Sequence, residues 1–343
     1  MIKFVFYFML LTAPVTLLGQ TYKLEPLTDT GTASFRGMSI VSDQVAWISG
    51  SNGTIGRTID GGKTWKWIQP KGYERLDFRD IEAFDGNKAI VVNAGSPAYV
   101  LLTSDGGVTW KETYKNTDSA IFLDGMDFWD ENTGIIFGDP INNKMQLLKT
   151  RDGGLNWQDV SGNLKAELAS GEAGFAASGT SIRTYGEGIV WIATGGTVSN
   201  IYRSDNYGYT WSVFKCPIWQ GESSTGPFSL AVNDQKTGVV VGGNYLKDQE
   251  NTNNVLLTLD GGETWIKPRQ AVAGYRSGVM YVDKQTLFAT GSSGTDVSLN
   301  GGYNWHKISD LGFNVIQKAK TGSLILLAGN KGQLYRLKIE DVK

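Results

Sequence analysis

A glycine-centred octet ending in tryptophan returns six times along the 343-residue chain, and this repetition narrows the possible folds more than any other property. The copies are TIDGGKTW ending at Trp65, TSDGGVTW at Trp110, TRDGGLNW at Trp157, SDNYGYTW at Trp211, TLDGGETW at Trp265 and SLNGGYNW at Trp305. Successive tryptophans lie 40 to 54 residues apart, as those positions give. Such a period marks units that bury their faces by stacking on neighbours.

Each octet lies between short strands, IGRT and KWIQ around the first, YVLLT and KETY around the second. Its glycines supply the positive φ of a tight hairpin, and the acidic or amide side chain can bond amides of its own turn. Upstream of each octet come an apolar run ending in glycine, such as VAWISGS or TGVVVGGN, and an earlier run such as FRGMSIV or FRDIEAF. Four short strands per repeat predict the blade of an all-β propeller. After Trp305 only three strand-like runs remain, so TYKLEPL near the N-terminus is expected to complete a seventh four-stranded blade shared by the two chain ends.

The octets resemble the Asp box, or bacterial neuraminidase repeat. With the inner runs FRG and FRD, the pattern is similar to the photosystem II stability/assembly factor family over nearly all of the chain beyond residue 20. That resemblance implies a seven-bladed propeller acting as a non-catalytic scaffold. Asp boxes also occur in sialidases and sortilin-type receptors. Asn206 and Asn300 replace the aspartates Asp60, Asp105, Asp152 and Asp260, and asparagine retains the oxygen that the turn uses. Each box brings one acidic residue from a separate blade, so structural turns are expected rather than calcium cages, which need converging oxygens.

Lys3 followed by FVFYFMLLTAPVTLLG reads as a secretory signal cut near Gly19 or Gln20, giving residues 1–20 as signal peptide and 21–343 as one propeller domain. A periplasmic or extracellular, monomeric protein without a stable membrane span is expected. A formal charge of −2 gives no electrostatic case for nucleic acid. Cys216 is the only cysteine, expected to be a buried structural thiol, and His306 is the only histidine. They exclude a disulfide and a multi-histidine zinc site. SGSNGTIG and TGSSGTD lack the strand–helix setting of a dinucleotide loop, so no cofactor is expected.

Propeller topology puts the octet turns on one face and the starts of the inner strands on the other. In repeat register those starts are Arg36, Arg79, Asp124, Gly179, Phe228, Arg276 and Asn314. Arg36, Arg79 and Arg276 would then form an arc around the channel mouth, where guanidinium forks suit carboxylate or phosphate. Loops feeding that face bring Glu167, Glu172, Trp219, Glu222, Ser223, Tyr245, Asp248 and Asp139. The expected ligand set is Arg36, Arg79, Arg276, Asp124, Glu172, Glu222, Trp219 and Tyr245, with no catalytic or metal residue. The expected function is an exported scaffold recognising a peptide, protein segment or small anion. The alternative is a sialidase-like glycoside hydrolase acting on an anionic carbohydrate. Sialidases resemble this chain in their three arginines, and Glu172 or Glu222 would act with Asp124 as the carboxylate pair.

Overall fold

A computed structural model describes residues 15–17, 19–27 and 32–341. Seven antiparallel sheets form the ring, and the only helix among the described residues is the 3-10 turn Ser161–Asn163. The inner strands are Phe35–Ile40, Asp77–Ala83, Leu123–Phe128, Ile182–Tyr185, Thr225–Val232, Gly278–Tyr281 and Val315–Lys318. Blade five is the thinnest. Its outer edge is a single bridge between Leu257 and Ile266.

The ring closes as expected. Gln20–Pro26 pairs antiparallel along the whole of Tyr335–Asp341, giving blade seven its outer strand. Val15–Leu17 adds a short hairpin strand against Gln20–Tyr22. The rest of the expected signal segment, residues 1–14 and 18, lies outside the described residues. A cut at Gly19 or Gln20 would remove Val15–Leu17 and leave Thr21–Pro26 of the closing strand.

Apolar cores fill the spaces between blades. Phe35 and Ile48 pack with Leu326 across the seam of blades seven and one, and Trp47 packs with Ile81 and Val91 across the next. Inside each octet the acidic side chain is consumed by its own turn. Asp60 Oδ1 accepts from the Thr58 hydroxyl at 2.8 Å and the Thr64 amide at 2.9 Å, and Oδ2 accepts from the Thr64 hydroxyl at 2.6 Å. Asp105 repeats the arrangement, and these bonds hold both carboxyls down at about 2. Asn206 reproduces it, with its amide NH2 donating to Thr210. Tyr207 takes the place of a glycine there at φ 58°, beside equivalents such as Gly61 at 73°.

The fourth octet residue ties its turn in two directions. Its amide bonds the inner hairpin of its own blade, as in Gly61 to Gln44 and Gly106 to Asn87. Its carbonyl accepts from a cation of the preceding blade. Arg57 reaches Gly106, Lys149 reaches Tyr207 at 2.6 Å, Arg203 reaches Gly261 at 3.2 Å, and Arg336 reaches Gly61 across the closing seam. Arg57, Lys149 and Arg203 each stand directly before their own octet, and Arg336 has the equivalent place in the blade that lacks one. Trp47 and Trp191 stack beneath Arg57 and Arg203, desolvating them from one side. The octet face is thereby a belt joining four of the seven blade interfaces.

Candidate functional site at the channel mouth

The first residues of the inner strands aim side chains at the channel because the sheet breaks register there. Bulges fall between Phe35 and Gly37, Phe78 and Asp80, Leu123 and Gly125, and Pro227 and Ser229. The extra residue in each is Arg36, Arg79, Asp124 or Phe228. A bulge re-aims a side chain out of the alternating pleat, and all four line one pocket of about 440 Å³ on the face opposite the octets. Tyr245, from the loop between the second and third strands of blade five, lines it too.

Segment Gly174–Ala177, from the link between blades three and four, crosses the mouth. Arg36 donates to the Ala177 carbonyl at 3.2 Å and Arg79 to the Ala176 carbonyl at 3.3 Å. Arg79 also pairs with Asp77 at 2.8 Å. Arg36 has no carboxylate within ion-pair distance among the described residues, and burial beside Arg79 lowers its proton affinity. Aromatic rings line the same pocket. Phe175 stacks on Phe228 with centroids 3.9 Å apart, and Tyr275 and Tyr245 meet Phe228 edge-on.

Asp124 is 1% exposed, and neither oxygen accepts a well-formed hydrogen bond. Burial, with Asp139 beside it, raises its carboxyl well above the usual range; the Arg79 charge and the nearby Ala176 amide oppose this more weakly. Asp139 is raised by burial too, and accepts from the Gly174 amide at 2.9 Å.

Four expected residues do not join this pocket. Arg276 is fully buried inside blade six, where Nε meets Asp296 at 2.5 Å and Nη1 donates to Ser293 and the Tyr275 carbonyl. It precedes the inner strand Gly278–Tyr281, which carries no bulge to turn it toward the channel. The three-arginine arc is therefore two arginines. Glu172 is also buried, accepting from Thr194, Asn200, Tyr202 and the Ala169 amide, so its carboxylate braces the link instead of facing a ligand. Glu222 and Trp219 stay outside the lining, near Lys247 at 3.8 Å and 5.7 Å respectively. Neither glutamate thus stands with Asp124 across the pocket.

Sequence reasoning left Phe122, Phe175, Tyr275, Ser277, Ser292 and Asn330 out of the site. Only Tyr275 and Ser277 carried a usable signal, as neighbours of a registered position. Cys216 is buried as expected, and burial pushes its thiol up to about 12.

The family model described as photosynthesis system II assembly factor YCF48 matches residues 28–117. Among solved structures the chain is similar to "YCF48 bound to D1 peptide", at 18% identity and TM-score 0.65, covering 92% of this chain and 94% of that one. It is similar to YCF48 from Cyanidioschyzon merolae at 17% identity and TM-score 0.65, covering 92% and 98%. A GH74 xyloglucanase from Xanthomonas campestris aligns at 14% identity and TM-score 0.60, over 92% of this chain and 53% of that one. No curated protein matches the chain. At these identities the solved structures speak for the fold.

Proposed function

We propose that this chain, a photosystem II assembly factor-like propeller, is an exported binding scaffold that takes a peptide or protein segment into the channel mouth, with a carboxylate held by Arg36 and Arg79. The observation that carries the reading is the pair of bulged arginines lining one pocket with an aromatic wall. Arginine forks recognise carboxylates in planar geometry, and a desolvated setting strengthens that contact. Phe175, Phe228 and Tyr245 give an apolar side chain somewhere to lie. The similar YCF48 structure holds a D1 peptide, which supports a peptide as the ligand class. The apolar N-terminal run supports export.

The test is an array of short peptides with free C-termini, probed with the full chain and with the Arg36→Gln/Arg79→Gln variant. Loss of two charge-assisted contacts should weaken the bound peptides at least about tenfold. Undiminished binding by the folded variant would overturn this assignment of the mouth.

A further inference from the structure

Arg36 and Asp124 present a paradox of pairing. Both line the same pocket, one lacking a carboxylate partner and the other lacking a good hydrogen-bond donor, yet they do not meet. A buried polar group without a partner is costly, and a buried charge more so. The local structure keeps them apart. Arg36 is turned to the Ala177 carbonyl, while a Cβ on Gly174 would lie 2.5 Å from Asp124 Oδ2, so the strap crossing the mouth rests on that carboxyl. Asp139 sits alongside, partly buried, fixed by the Gly174 amide.

Burial and the neighbouring Asp139 raise the Asp124 carboxyl, and burial raises Asp139, so the two resist ionising together and a nearby cation would favour their charged forms. The mouth therefore has a positive pole at Arg36 and Arg79 and a negative pole at Asp124 and Asp139, with the aromatic wall beside them.

We propose that Asp124, steadied by Asp139, is a specificity-determining residue that selects segments carrying a cationic nitrogen close to the carboxylate bound by Arg36. The inference rests on the proposed function of the mouth and narrows its ligand from any carboxylate-bearing segment to one bearing both charges. A lone phosphate or carboxylate satisfies the arginines and leaves Asp124 as it is. An ammonium seated beside the pair supplies the donor that the buried, unpartnered Asp124 oxygens lack and favours the ionised carboxylate.

The probes are three pools of randomised N-acetylated tetrapeptides, offered to the immobilised full chain and identified by mass spectrometry. One pool includes lysine and ornithine and ends in a free carboxylate. The second replaces both residues by norleucine. The third is the first with an amidated end. Wild-type protein should retain lysine- and ornithine-containing peptides over norleucine peptides by about tenfold, the scale of one charge-assisted contact. Asp124→Asn should bring that ratio near one while retention still depends on the free carboxylate. Glu222→Gln, a carboxylate outside the pocket, should leave the ratio unchanged.

A wild-type ratio near one, or a ratio that Asp124→Asn leaves intact, overturns the role of Asp124 while the carboxylate reading stands. Equal retention of the amidated pool, or no retention of any pool, overturns the parent reading and this inference with it. Should Asp124→Asn fail to fold by near-UV circular dichroism, Asp139→Asn at the less buried partner carries the same comparison.

Discussion

Arg276→Met should unfold the protein far more readily than it disturbs the channel mouth. The side chain is fully buried, and Asp296 beside it is 1% exposed. Burial lowers the proton affinity of Arg276 and raises that of Asp296, while their mutual contact opposes both shifts. Arg276→Met leaves Asp296 with only the Ala273 amide at 3.3 Å. Breaking a buried pair from one side typically costs about 3–5 kcal/mol. The variant also removes the guanidinium's bonds to Ser293 Oγ and the Tyr275 carbonyl, at 2.6 and 2.7 Å, and leaves those two groups their mutual bond at 3.3 Å. Adding Asp296→Leu removes the stranded charge, so the double variant should recover to within about 1–2 kcal/mol of wild type, the remainder being the two lost Nη1 bonds. Urea unfolding of wild type, both single variants and the double variant gives the coupling energy, expected to be at least about 2 kcal/mol, provided the m-values agree. Peptide retention per folded molecule should not change, because Arg276 does not line the pocket. A cost below about 1 kcal/mol for Arg276→Met, or loss of retention in the folded double variant, would refute the placement of this arginine as an internal brace.

Two further outcomes follow from buried charges elsewhere in the ring. Asp80 accepts from the Ile81 amide at 2.8 Å and the Met126 amide at 2.7 Å, yet its complete burial, with Glu82 near and Arg183 only partly offsetting it, raises its carboxyl to about 7. The folded chain then holds a proton that the unfolded chain releases near 3.8, so stability declines as pH rises from about 4 to 7 and levels off above. The shift corresponds to a contribution on the order of 4 kcal/mol. Glu82, itself raised by burial and by Asp127 against the opposing charge of Lys320, adds in the same direction. Urea midpoints from pH 5 to 8 should fall in wild type and fall less steeply in Asp80→Asn, and equal slopes would dismiss Asp80 as the source. On the octet face, Lys149→Met removes the ammonium that joins blade three to the Tyr207 carbonyl within the rings of Trp129, Tyr207 and Tyr209. A charged hydrogen bond of this kind is worth about 1.5–3 kcal/mol, and a melting temperature unchanged by Lys149→Met would refute the belt.

How much of this was legible in the sequence depended on whether a feature is local. The octet turns and the closing strand are short-range or end-to-end patterns, and both stand where the repeats predicted. Arg36, Arg79, Asp124 and Tyr245 were named because repeat register locates strand starts and loop faces, and the four line one pocket. Register alone failed at Arg276, since the same column carries a bulge in four blades and none in blade six. An arginine in the unbulged copy follows the pleat inward and needs Asp296, a partner twenty residues away with no motif of its own. Glu172 failed for the converse reason. A loop carboxylate looked exposed, but three hydroxyl and amide donors, from Thr194, Asn200 and Tyr202, fold over it. The residues that join Asp124 at the second pole and form the strap come from different places: Asp139 from a bulge in the second strand of blade three, and Gly174–Ala177 from the link that follows that blade. The repeat therefore encodes the ring, while chemistry collects where the repeat breaks, first at the bulges and then at the irregular link laid across them. Swapping blades while preserving the octets should keep the ring and lose the site.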